Sequence, residues 1–149
     1  MTALEWDGRI LVIDASVAAK WFVDEPDADA ARSVLLDLRD RPDWFSVPEL
    51  FFVEMLSVLS KMTESEEQLK KLLGILEDLG LARLGLGHET LARAAELAYS
   101  WGLSACDAVY AATADMLGGL WLTADARAHE KIASLGISRL LSPSPHSLS

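Results

Sequence analysis

The sequence is poor in cysteine, in basic charge and in long apolar runs, and each shortage removes a class of protein. Cys106 is the only cysteine, so there is no internal disulfide, no CxxC pair and no cysteine-based zinc site. The residue itself reads as a small core side chain. Lys and Arg number 13 against 23 Asp and Glu, a formal charge of −10, which argues against broad electrostatic binding of nucleic acid. A nucleic-acid substrate survives that argument, because acids gathered around divalent cations present a neutral or positive face to phosphate. An acidic surface also favours a basic protein partner. Apolar stretches break well before the roughly 18 residues that span a bilayer, and the opening MTALEWDGR lacks the basic-then-apolar order of a signal peptide. A cytoplasmic protein without membrane contact is therefore expected. His88, His129 and His146 are scattered along the chain and read as surface residues.

What is present suits one domain: 149 residues with 51% hydrophobic content can bury a single core. The expected domain covers residues 1–141, and the tail 142–149, SPSPHSLS, has nothing to bury and is expected to be disordered. The organising stretch is Arg9 to Lys20, RILVIDASVAAK. Its β-branched run Ile10 to Ile13 fits a strand buried on both faces of a parallel sheet, and Asp14 closes it. Periodicity and turn residues then predict a short helix from Val17 to Phe22 and a helix from Asp27 to Arg39 with Ala31, Val34, Leu35 and Leu38 on its buried stripe. A strand follows at Trp44 to Val47, with Pro48-Glu49 at the first positions of a helix running to Met62. A helix from Ser65 to Leu79 closes at Gly80 and forms a hairpin with the one before it. Strands at Ala82 to Leu84, Leu120 to Thr123 and Ile137 to Leu141 alternate with helices at Glu89 to Trp101, Ser104 to Leu117 and Ala126 to Leu135. Strands separated by helices throughout imply a three-layer α/β/α fold with a parallel sheet of about four or five strands.

Four acids stand out in that frame. Glu54 has Leu50, Phe51, Ser57 and Val58 as helical neighbours, and a carboxylate on so apolar a face costs several kcal/mol unless paired, protonated or bound to metal. The alternative is a Glu bonded to Ser, Tyr or backbone, or lying at the wet margin of that face. Asp107 completes Ser104-x-x-Asp107, the form of a capping box, and Asp125 stands where it would cap the next helix; Asp14 or Ser16 has the same alternative at the first helix. Taken together, Asp14 and Asp125 follow parallel strands and Asp107 opens the helix leading to the second, so all three converge on the carboxyl edge of the sheet, where α/β proteins bind ligands. Hard oxygen donors of this kind suit Mg²⁺ or Mn²⁺, and so many like charges do not stay ionised together without a cation. At least one of the acids is expected to have a raised pKa through that repulsion, and an isosteric amide is expected to be tolerated at Asp14 and at Asp107.

Asp14-Ala-Ser16 after the first strand, Glu54 within PELFFVEMLSVL, Cys106-Asp107-Ala-Val-Tyr-Ala-Ala, and LWLTAD ending in Thr123-x-Asp125 together resemble the PIN domain, and at this length the VapC-type toxins of toxin–antitoxin pairs. The match runs from about Ile10 to Leu141, with 40, 53 and 18 residues between successive acids. The resemblance implies a metal-dependent endoribonuclease in which Asp14, Glu54, Asp107 and Asp125 hold Mg²⁺ or Mn²⁺ while Ser16 and Thr123 support the site by hydrogen bonds. It further implies an RNA substrate and a cognate antitoxin with a basic side chain aimed at the carboxylates. The apolar faces of the Glu49 to Leu79 hairpin, with Trp21 and Phe22, exceed what one small domain easily covers, so a homodimer is expected that also binds a short antitoxin segment in a groove near the acids. One departure is Ser57, where many relatives carry Asn. Lys20, Arg127 and His129 follow site acids and either contact RNA phosphates or form a solvated face. Trp21 and Phe22 read as core or partner contacts. Two alternatives stand beside the toxin: a stand-alone RNA-processing nuclease of the same family, and a non-catalytic acidic module that binds a basic partner.

Overall fold

The computed structural model describes residues 7–25 and 28–141, and its centre is a sheet of five parallel strands: β1 Leu11–Ile13, β2 Phe45–Pro48, β3 Ala82–Leu84, β4 Leu120–Thr123 and β5 Ser138–Leu140. Their spatial order is β3-β2-β1-β4-β5. The β-branched run before Asp14 becomes the central strand. Leu11, Val12 and Ile13 are all buried, as a strand covered on both faces requires.

Seven α-helices connect the strands: α1 Ala15–Ala18, α2 Ala28–Asp40, α3 Leu50–Met62, α4 Glu66–Glu77, α5 His88–Trp101, α6 Ala105–Met116 and α7 Ala126–Ile132. Parallel strands need right-handed crossovers. The chain moves outward through β1, β2 and β3 on one side and through β4 and β5 on the other, so α1 to α4 cover one face and α5 to α7 the opposite one. Contacts agree with that division: α3 packs on α1 and α4, while α6 packs on α5 and along β1, β2 and β4. The result is the three-layer α/β/α arrangement expected. The α3–α4 hairpin forms, with Leu76 buried and Leu69, Leu72 and Leu73 packed at the margin of the core. Among the described residues no helix is long and apolar enough to cross a membrane.

Several expectations need correcting. Pro48 ends β2 instead of opening α3, and Glu49 takes the position before the helix. The reason lies in the ladder: β1 pairs with β2 only at Phe45 and Ser46, so Pro48 lies past that pairing and its missing N–H breaks no bond to the central strand. The first helix starts two residues early, at Ala15, and tightens into a 3₁₀ turn at Ala19–Phe22. Cys106 is exposed, not part of the core, because it occupies the first turn of α6, where Ala108 and Val109 face inward instead. The tail 142–149, His146 and the helix start at Asp27 lie outside the described residues.

Candidate active site

The order of the strands reverses direction at β1, since β2 follows it on one side and β4 lies on the other. A reversal of this kind opens a crevice beyond the carboxyl ends of the two strands at the switch. Asp14 directly follows β1, and Asp125 lies two residues after β4. The loops after these strands are stitched together by hydroxyls. Ser16 Oγ lies 3.3 Å from Thr123 Oγ1 and accepts from the Ala124 N–H at 3.0 Å, while Thr123 Oγ1 accepts from the Asp125 N–H at 3.1 Å. Thr123 is fully buried, and its only polar atom serves this contact.

Asp14 is 4% exposed. Its Oδ1 accepts from the Ser16 N–H at 3.0 Å and the Val17 N–H at 3.3 Å, which makes Asp14 the cap of α1, and also from the Ser16 hydroxyl. Its Oδ2 accepts from the Trp121 indole N–H at 2.9 Å. Burial pushes the Asp14 carboxyl above its ordinary pKa, and the bonds from Ser16, Thr123, Trp121 and Val17 oppose that shift. Capping and site chemistry therefore coexist in one side chain: a carboxylate has about four acceptor positions, and Oδ2 keeps one free.

Asp107 is half-buried at the first turn of α6. Ser104 caps that helix by accepting from the Asp107 N–H at 3.1 Å. The return bond of a capping box, from the Ser104 N–H to the Asp107 carboxylate, is not made. That carboxylate instead feels Asp14 and Asp125. Burial raises its pKa first, the two like charges raise it further, and Ser104 and Lys131 pull it back. The expected repulsion among the acids is thus present, but burial is the larger cause. Asp125 is exposed and caps α7, its Oδ1 accepting from the Ala128 N–H at 3.2 Å. Glu54 is half-buried, at the margin of its helix face, and acts electrostatically on Cys106 and on Tyr110.

Asp14 and Asp125 thus act electrostatically on Asp107, and Glu54 and Asp14 both act on Tyr110. Among the described residues, no three acidic, histidine or cysteine side chains stand close enough to share one ion. The donor chemistry fits a hard divalent cation, being all oxygen with one acceptor position left on buried Asp14. Asp125 is the most exposed of the four. Ser57, where the sequence departs, is exposed on α3, three residues after Glu54.

The remaining candidates differ in burial. His88 is exposed, and His129 Nδ1 is held by Ser138 Oγ at 2.7 Å. Arg127 is exposed, Lys20 is half-buried, and Trp21 and Phe22 pack at the edge of the core. Two residues were not anticipated at all. Trp121 lies two positions before Thr123 on the same face of β4, and Tyr110 lies one helical turn after Asp107; the spacing puts each beside a site residue but does not show which acid it meets.

This sheet order, with acids at the switch between β1 and β4, defines a three-layer α/β protein with an acidic crevice. A family model described as the PIN domain matches residues 11–135, and the chain belongs to that family. No curated protein matches it in sequence. Similar solved structures include a toxin–antitoxin complex from Klebsiella pneumoniae, with 14% identity, a TM-score of 0.68 and coverage of 89% of this chain and 98% of that one. Another is FitAcB from Neisseria gonorrhoeae, at 17% identity and TM-score 0.66, covering 88% and 96%. A third is PAE2754 from Pyrobaculum aerophilum, at 22% identity and TM-score 0.54, covering 86% and 85%. At these identities the likeness is one of fold.

Proposed function

We propose that the protein is a metal-dependent endoribonuclease of the VapC type, the toxin of a toxin–antitoxin pair acting in the cytoplasm. One observation carries this reading: Asp107, half-buried, lies within electrostatic reach of both Asp14 and Asp125 at the strand-order switch. Membership of a nuclease family supports it, as do similar folds found in toxin–antitoxin complexes.

In this reading Asp14, Glu54, Asp107 and Asp125 hold Mg²⁺ or Mn²⁺, and Ser16 and Thr123 keep the two strand ends together. A divalent cation, when bound, acidifies water to make a nucleophile and stabilises charge on phosphoryl oxygens. Asp14 is the fixed member, locked by its four donors, and its buried oxygens orient that centre without reorganisation. Asp107 and Asp125 flank it, and Glu54 approaches from α3. Held by these carboxylates, such a cation would offset part of the −10 charge locally and so favour the approach of an RNA phosphate.

The partner surface is the α3–α4 hairpin. Val53 is 64% exposed and Leu56 43% on α3, and Ile75 is 50% exposed on α4; such a patch fits a homodimer contact or the apolar side of a basic antitoxin segment. A monomer in light scattering at micromolar concentration would argue against the dimer.

The deciding experiment is cleavage of RNA by the pure protein with Mg²⁺ or Mn²⁺, compared with Asp107→Asn. We expect cleavage by wild type, loss of at least about 100-fold in the variant, and unchanged far-UV circular dichroism. Full activity in Asp107→Asn would return that residue to a helix-start role. Absence of cleavage by wild type, with binding of a basic peptide retained, would favour the non-catalytic module.

A further inference from the structure

One buried polar atom beside the acids has no partner. Tyr110 is 1% exposed, and its hydroxyl makes no hydrogen bond. Burial raises its pKa most, then the Glu54 carboxylate, which lies near the hydroxyl without the geometry of a hydrogen bond, then the Asp14 carboxylate, with the Ala15 backbone opposing them. Buried polar groups are nearly always paired, and a hydroxyl left alone weakens a fold noticeably. The position is not accidental, because α6 carries Asp107 and Tyr110 one turn apart on one face. Two further facts meet at this atom. Among the described residues no three acids stand close enough to share one ion, and Glu54, half-buried on α3, is the acid that acts most strongly on Tyr110.

We propose that Tyr110 is the positioning residue for Glu54. When Glu54 turns toward Asp14 to take up a divalent cation, the Tyr110 hydroxyl donates to the Glu54 carboxylate oxygen facing away from the ion. That bond supplies the missing partner and fixes the one acid that comes from the middle of a helix instead of a strand end or helix start. Outer hydrogen bonds of this sort typically change metal affinity 10–100-fold. The proposal rests on the metal-dependent reading above, and the experiment separates the two.

Wild type and Tyr110→Phe are compared in two measurements: melting temperature in the presence of a chelator, and Mn²⁺ affinity by titration calorimetry. Phe fills the same space, so the variant folds. Without metal, removal of a hydroxyl that has no partner should leave the melting temperature at or above that of wild type. With metal, affinity should fall about 10–100-fold. A lower metal-free melting temperature in Tyr110→Phe would show that the hydroxyl already has a partner, protein or trapped water, and would overturn the proposal. Equal Mn²⁺ affinity in the two proteins would overturn it while leaving the metal-dependent reading intact. A wild type that binds no Mn²⁺ would overturn both.

Discussion

Four donors converge on the Asp14 carboxylate, and the Trp121 indole reaches it from β4. An amide offers one acceptor oxygen and one donor nitrogen, so Asp14→Asn must turn an N–H toward either the indole or the start of α1. On that ground Asp14→Asn is expected to lose stability, contrary to the tolerance expected from sequence, and Asp107→Asn is the cleaner test of function. The indole bond has a consequence of its own. Trp121→Phe removes a hydrogen bond to a buried carboxylate, worth about 1.5–3 kcal/mol, so denaturant unfolding should show a loss of at least about 1.5 kcal/mol. Unchanged stability would mean that Asp14 finds another donor. Neither Trp121 nor Tyr110 was legible as part of the site, because each matters through a partner more than 50 positions away in the chain. Asp14, Asp107 and Asp125 were legible because strand and helix ends mark themselves in sequence. Glu54 was legible only as an anomaly, an acid among apolar neighbours, and in the structure it sits at the margin of that face.

Among the elements, β3 and β4 match their expected bounds because turn residues bracket each of them. Gly80 adopts φ +85° before β3, and Gly118 adopts φ +65° before β4, conformations that glycine takes without strain. Pro48 misled because its helix-start preference is a local rule, whereas its place in β2 follows from how far the β1 ladder extends. Gly119 has a tertiary reason for being glycine. A Cβ there would come within 2.2 Å of the Ile10 carbonyl oxygen, the same oxygen that accepts from the Leu120 N–H at 2.8 Å. Gly119→Ala should therefore push β4 from β1 at its first bond and cost more than about 1–3 kcal/mol, the range for ordinary overpacking. Thermal unfolding measures it, and a variant within about 0.5 kcal/mol of wild type would show that the strands separate there freely.

For the whole molecule the acids set the response to pH. Burial holds Asp14 and Asp107 above their ordinary range. The native state then binds protons more tightly than the unfolded chain between the usual value of about 3.9 and those higher values. Stability contributed by proton uptake is present on the acid side and lost as pH rises through the folded pKa. Lowering the pH of metal-free protein from about 7.5 to about 5 should thus raise the melting temperature. Below about pH 4 the trend should reverse, because Asp7 beside Arg9 and Glu49 beside Arg83 are held low and lose their interactions there. Buffers of equal ionic strength are needed at a charge of −10, since salt alone screens surface repulsion. A melting temperature that falls steadily from neutral pH downward would contradict the burial of these carboxyls. The pairing of β1 with β4 also has a meaning in time. Asp14 and Trp121 meet across 107 positions, so a chain still emerging from the ribosome carries β1 with the N–H and C=O groups of one edge unpaired. Such an edge is a template for strands of other nascent chains, and contacts this distant form slowly. The arrival of β4 closes that edge and assembles the carboxylates in one event, so protection from misassembly and the completion of the acidic crevice occur together, and no shorter fragment has either.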